Sequence, residues 1–341
     1  MATAILRKFR KICMQRKQKI VVIGGGTGTF VALSGLKKYN VDLAAIITMM
    51  DSGGSSGKLR DELGVLPPGD VRQCLVALAK SSRLLREMFN YRFEEGGLKG
   101  HTFGNIFLST LAKTTGSMKK AIEEVGKILR IQGRVIPVTY AKSDLCIELE
   151  DGTIIEGETH IDEVEVREKR GRIKRAFLKP KVEANPDAEI AIKDADAIII
   201  GPGDLYTSII PNLLVTGIQP AIKASKGKKI YVLNLMTKYG QTTRHTAKNH
   251  VEDLKQYIGE NQLDAVLVNK KTPKKETLAW YKDFDEHQVE DDLSDKREFQ
   301  VVRKNLIKDV VVDAEPADGL RRSIIRHDSE KLAKAIMEIL G

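Results

Sequence analysis

The stretch Lys19-Ile-Val-Val-Ile-Gly-Gly-Gly-Thr-Gly-Thr29 reads as a short buried strand that runs into four glycines and then a helical pattern. Glycine admits positive φ and leaves amide N–H groups uncovered, so such a turn can cradle an anion. The third glycine of a dinucleotide fingerprint would fall on Thr29, and no Gly-Lys-Ser/Thr follows as in a Walker loop. Neither pattern is met. The alternative is a tight strand-to-helix turn that binds nothing, but four glycines where one or two would serve favour a ligand. Gly24, Gly25, Gly26, Thr27 and Gly28 are therefore candidate contacts.

A second β-branched run ends in Met50-Asp51-Ser-Gly-Gly-Ser-Ser-Gly-Lys-Leu-Arg60. Asp51 stands where α/β proteins place an acid for a ribose hydroxyl, a metal ion or a proton transfer. Ser55 and Ser56 offer hydroxyls and amides in a small loop, and Lys58 a charge for phosphate. Leu66-Pro-Pro-Gly-Asp-Val-Arg72 follows. Asp70 is either a helix N-cap or, with Asp51, half of a two-carboxylate Mg²⁺ site, since that ion needs few protein ligands. Arg72 in the first helical turn is placed to meet an anion. In Gly100-His-Thr-Phe-Gly-Asn105, Asn105 reads as a cap and a contact, and His101 as a hydrogen-bonded turn residue ahead of a general base.

The strand, glycine turn, helix order returns at Ala197–Ile200 followed by Gly201-Pro-Gly-Asp-Leu-Tyr-Thr-Ser208. Gly201 and Gly203 would face the same cleft as the first turn, with Asn212 further on. The polar run Asn234–Thr246 after the next strand adds Arg244 and His245 as candidate contacts.

Around these motifs, β-branched runs alternate with helical patterns. This predicts an α/β, Rossmann-like fold: a mostly parallel sheet with helices on both faces. Strands are expected at Lys19–Ile23, Leu43–Met49, Arg134–Val138, Ala197–Ile200, Ile230–Leu233, Asp264–Val268 and Asp309–Val312. Helices are expected at Thr29–Lys38, Val71–Lys80, Asn105–Ala112, Met118–Leu129, Thr246–Ile258 and Ser329–Leu340. Residues 139–180 break the alternation. Leu145–Leu149, the Asp151-Gly152 turn, Thr153–Gly157 and Ile161–Arg167 read as a small antiparallel β insert covering one end of the sheet.

In 341 residues this leaves a basic arm, 1–18, and a single nucleotide-binding α/β domain, 19–341. No apolar run approaches bilayer length, and no secretory signal is legible. Cys13, Cys74 and Cys146 are too scattered for a metal cluster or disulfide framework, so a cytoplasmic location is expected. Of the +10 net charge, Arg7 to Lys19 carries a dense share. Contact of this arm with nucleic acid or an anionic membrane stays open, with a solvated tail favoured.

Five pieces together resemble the gluconeogenesis factor family, bacterial relatives of 2-phospholactate transferase. They are the first glycine turn, Gly53-Gly-Ser-Ser-Gly-Lys-Leu-Arg-Asp-Glu-Leu-Gly64, Leu66-Pro-Pro-Gly-Asp70, His101-x-x-Gly-Asn105, and Gly201-Pro-Gly-x-Leu-Tyr-Thr-Ser208 with Pro211-Asn-Leu-Leu-Val215. The likeness runs from Lys19 to the His327-Asp-Ser-Glu-Lys-Leu-Ala segment. It implies a nucleotide-binding fold and, for the bacterial branch, UDP-sugar binding, such as UDP-N-acetylglucosamine, with roles in cell shape, peptidoglycan synthesis and gluconeogenic growth. For the transferase branch it implies Mg²⁺-dependent transfer of a phospholactyl group from a guanosine diphosphate carrier to a deazaflavin alcohol. The expected reading is thus a non-catalytic regulator, with a phospholactate-type transferase using Asp51 and Asp70 as the alternative. A homo-oligomer stays open. Ser52 stands where the transferase branch has a second aspartate. Asp204 and His245 stand where the bacterial branch usually has serine and tyrosine.

Overall fold

The computed structural model describes residues 16–162, 170–295, 298–308 and 323–341. The first half begins with β1 (Gln18–Gly24), α1 (Gly26–Leu36) and β2 (Val41–Ile47). Next come α2 (Gly54–Leu63), α3 (Gly69–Leu78), α4 (Arg83–Asn90) and α5 (Phe103–Thr115). Then come α6 (Met118–Leu129) and β3 (Arg134–Pro137). The insert comprises β4 (Asp144–Leu149), β5 (Ile154–Glu156), a one-turn helix α7 (Glu158–Asp162) and β6 (Ile173–Lys179).

The second half runs through α8 (Pro186–Lys193), β7 (Ala197–Ile200), a wide π turn at Leu205–Ile209, α9 (Ile210–Leu213) and α10 (Ile218–Ala224). It continues with β8 (Lys228–Val232), α11 (Ala247–Ile258), β9 (Ala265–Asn269) and α12 (Lys275–Lys282). The last elements are β10 (Gln300–Lys304) and α13 (Ser329–Leu340).

The seven-stranded sheet has the order β10-β9-β8-β7-β1-β2-β3. Every pairing in it is parallel. From β1 the chain walks outward to β3, returns through the insert to β7 on the other side of β1, and walks outward again. Parallel crossovers are right-handed, so the two walks place their helices on opposite faces. This is the doubly wound, Rossmann-like arrangement expected. Its topological switch point lies between β1 and β7, where Ile23 pairs with Ile200 and both strands end in glycine turns.

The apolar runs form strands because both sheet faces are covered: Ile20, Val22, Ile23 and Ile198–Ile200 are wholly buried. Each such side chain contributes about 1.5–3 kcal/mol on burial. Helix α1 approaches α13 where Gly35 lies on the Ser329 carbonyl, so close that a Cβ would stand 1.9 Å from that oxygen. Asp328 caps α13 by accepting from the Glu330 and Lys331 amides.

Two local expectations change, and a third cannot be compared. Ile161 and Asp162 close a helix rather than open a strand, and residues 163–169 lie outside the described residues. The third strand of the insert is instead β6, antiparallel to β4. The small residues after Asp51 are a helix, not a loop: α2 starts at Gly54, because this tight glycine and serine run closes on itself with the Gly57 amide bonded to the Gly53 carbonyl. The strand expected at Asp309–Val312 lies outside the described residues, and the outer position of the sheet is held by β10. Most of the basic arm and Cys13 lie outside them as well.

Candidate functional site

Both glycine turns serve the sheet and the cleft at once. Gly24 ends β1, and its carbonyl accepts from the Thr48 amide and from Asn212 Nδ2 at 3.1 Å. Gly25 is the N-cap of α1 and has no side chain to satisfy the first amides, which leaves those of Gly26, Thr27 and Gly28 for a ligand. Gly26 has φ +60°. Gly28 lies against the second turn, where a Cβ would stand 2.0 Å from the Pro202 carbonyl oxygen. Gly201 has φ +79°, and Gly203 comes near the Gly25 carbonyl. The two turns thus touch at the switch point. They form the floor of a cleft of ≈ 250 Å³, near the lower end for small-molecule sites.

One wall comes from α2, α3 and α5. Ser55 and Ser56 sit in the first turn of α2, with Asp51 just before it. Asp51 Oδ1 accepts from the Gly53 amide at 2.9 Å. Asp70 lies in the first turn of α3, whose N-cap is Pro68, so it makes no cap bond. Instead its carboxylate faces α1, where a Cβ on Gly25 would fall 2.3 Å from Asp70 Oδ2. Arg72, buried, donates from Nε to Asn105 Oδ1 at 2.9 Å and from its guanidinium to Asn90. Asn105 is not the cap of α5 either. Thr102 is, and Asn105 turns its Nδ2 to Ser55 Oγ at 3.1 Å.

The insert forms the roof. Ser52 Oγ accepts from the Thr159 amide at 2.9 Å and meets Thr159 Oγ1 at 3.0 Å, while the Ser52 amide faces Glu158. This clasp brings Glu158 and Asp162 of α7 over the cleft. Asp162 is neutralised by Lys238, 3.3 Å away, and accepts from Gln241. Glu158 is pushed well above the usual carboxylate range by burial, and then by Asp51, Asp162 and Asp70. The remaining wall is C-terminal and includes Glu286, Arg326 and His327. Burial depresses His327 to about 4.

Gly25, Gly26, Thr27, Gly28, Asp51, Ser55, Ser56, Asp70, Arg72, Asn105 and Gly203 are thus brought together. Five other candidates are not. Gly24 and Gly201 are backbone hinges behind the floor. Asn212 is fully buried and ties Gly24 to the Ser208 carbonyl. Lys58 points to solvent from α2, and Arg244 is exposed with φ +58°.

His245 is a correction of another kind, since it belongs to a buried structural cluster. Its Nε2 lies 2.8 Å from Asp253, which also accepts from Tyr206 and pairs with Arg172 of the insert. Burial alone would raise the Asp253 carboxyl, but the bonds from His245 and Tyr206 hold it low. Glu158, Asp162, Lys238, Glu286 and Arg326 were missed. Glu158 and Asp162 carried one signal, two acids four apart at helical spacing, in a segment read as strand.

Asp51 and Asp70 were expected to hold Mg²⁺. Both face the cleft, and Ser52 is turned away into its clasp with Thr159. Among the described residues no three His, Cys, Asp or Glu side chains form a metal-holding group. Asp51 and Asp70 therefore fit a cation that arrives on a diphosphate, not a closed protein cage.

The geometry agrees with what the chain is similar to. The profile of the 2-phospho-L-lactate transferase CofD family matches residues 20–307. The chain belongs to that family. Within it, the gluconeogenesis factor of Bacillus subtilis is 39% identical over 329 residues, 96% of this chain and 99% of that protein. That of Halalkalibacterium halodurans is 41% identical, covering 95% and 97%. A crystal structure of a Bacillus halodurans protein superposes with a TM-score of 0.85 at 38% identity, covering 94% of this chain and all of that one. The chain is therefore a member of the gluconeogenesis factor group of the CofD family. The family match takes in both glycine turns, the acidic roof and Glu286, and ends before Arg326 and His327.

Proposed function

We propose that the cleft binds a nucleotide diphosphate-linked sugar of the UDP-N-acetylglucosamine class, and that through this binding the chain regulates cell shape, peptidoglycan synthesis and gluconeogenic growth. The observation that carries this reading is the meeting of two side-chain-free turns at the switch point, where the α1 N-terminus has no side-chain cap from Gly25. The C-terminal wall and the insert then surround the nucleoside and the sugar. The cytoplasm is the proposed location. Among the described residues no helix is long and apolar enough to cross a membrane.

A second reading has its own support. The matched family is described as a transferase, and Asp51 and Asp70 share the cleft. In that case the two carboxylates would hold Mg²⁺ on the donor diphosphate, and the ion would supply charge neutralisation for group transfer. Arg72, Asn105 and the α1 amides would orient the donor.

One experiment separates the two. Calorimetric titration with UDP-N-acetylglucosamine, with and without EDTA, is paired with a turnover assay on a guanosine diphosphate-linked phospholactate donor, Mg²⁺ and a deazaflavin alcohol. Binding that survives EDTA with no turnover is the expected result. Steady product that Asp51→Asn abolishes would replace the regulator with the transferase.

A further inference from the structure

Where β2 gives way to α2 the chain reads Gly53-Gly-Ser-Ser-Gly57, a Gly-x-Ser-x-Gly spacing between a strand and a helix. That spacing presents the nucleophilic serine of many hydrolases at the lip of a parallel sheet. Here the positive φ falls on Gly54, at +47°, and Ser55 opens the helix. Gly57 is obligatory, because a Cβ there would stand 1.9 Å from the Ser52 carbonyl oxygen.

The hydrogen bonds that lead to Ser55 from Arg72 have a forced direction. Arg72 Nε can only donate, so its partner on Asn105 is the carbonyl oxygen, 2.9 Å away. The Asn105 amide nitrogen then donates to Ser55 Oγ at 3.1 Å. Ser55 Oγ also lies 3.0 Å from His101 Nδ1, and in the tautomer protonated at Nε2 that nitrogen accepts the Ser55 proton. Arg72, Asn105 and Ser55 are all buried, so the chain is held in place while Oγ faces the cleft.

We propose that Ser55 is a nucleophile, with His101 as its general base, that takes the acyl group of a carboxylic ester bound in the cleft. The Ser55 oxygen attacks the ester carbonyl and its proton passes to His101 Nδ1. The oxygen–acyl bond forms, the bond to the alcohol breaks, and the alcohol leaves with the proton from His101. Water, activated by the same imidazole, then releases the carboxylic acid and restores Ser55. Asn105 Nδ2, 3.1 Å from Ser55 Oγ, has a second N–H to offer the oxyanion. Burial lowers the His101 pKa below its ordinary value, the Lys58 and Arg92 charges add to that, and Glu62 opposes it. This inference is independent of the nucleotide-sugar reading.

The test uses the full-length protein and p-nitrophenyl acetate. A burst of one p-nitrophenolate per chain is expected, with acetyl on the Ser55 peptide by mass spectrometry. Ser55→Ala should abolish the burst, and His101→Gln, which keeps a hydrogen-bonding amide but no base, should slow it about 10²-fold or more. The wild-type rate should be level from about pH 7 to about pH 8.5, because His101 is already neutral there. A cooperatively melting wild-type protein that stays unacylated at Ser55 overturns the proposal. So does a folded His101→Gln variant that acylates as fast as wild type.

Discussion

At the scale of single residues, the glycines of the two turns divide into those that serve a ligand and those that serve the fold. Gly26→Val and Gly203→Val should each abolish nucleotide-sugar binding by calorimetry. The first covers the amides and strains φ +60°, and the second crowds the cleft floor beside Ser208. Gly28→Ala should instead lower stability by about 1–3 kcal/mol, since its Cβ would meet the Pro202 carbonyl; thermal melting distinguishes the two outcomes. Asp51→Asn should weaken the ligand by about 1–3 kcal/mol if its carboxylate accepts a buried ribose hydroxyl. Glu158→Gln should tighten it. Folding raises the Glu158 carboxyl above its unfolded value, so its charged form costs stability at neutral pH, and that cost vanishes below the usual carboxylate range. The variant should therefore melt higher than wild type near neutrality and equally in acid.

At the scale of elements, the insert is held to the first half of the sheet by small polar contacts and to the second half by a buried charge cluster. Ser52→Ala removes the acceptor for Thr159 and should cost about 0.5–1.5 kcal/mol, visible as faster amide exchange across Glu158–Asp162. Asp253→Ala strips the partner from His245, Tyr206 and Arg172, and should cost about 3 kcal/mol or more by denaturant unfolding. Unchanged melting of that variant would show the cluster to be dispensable. The clasp also explains why serine at position 52 matters: its hydroxyl is spent on the roof.

For the whole molecule, acid stability should be set by two buried imidazoles. His250 and His327 are both depressed to about 4 from 6.5. A histidine with a lowered folded value opposes folding as pH falls from its unfolded value toward the folded one, by roughly 3 kcal/mol each. Melting temperature should drop between about pH 6.5 and about pH 4, and His327→Asn should blunt that drop. Deleting residues 1–15 should leave ligand affinity and melting nearly unchanged. The described contact nearest the arm, Arg16 with Asp196 at 3.4 Å, is exposed and worth little. A large loss of affinity would place the arm in the site.

The amino-acid sequence by itself determined the doubly wound sheet. Buried parallel strands are continuous apolar runs, and helices between them are periodic, so both are local signals. It also determined the glycine turns, because positive φ and close backbone approach at Gly26, Gly28 and Gly201 call for residues without side chains. Only the tertiary structure decided which polar residues converge. Glu158 and Asp162 reach the cleft because the insert folds back onto Ser52, a contact between positions more than a hundred residues apart. His245 sits in a polar run identical in character to a binding loop, yet α11 turns it onto Asp253. Burial and pairing are set by elements distant in the chain, and no local pattern of residues records them.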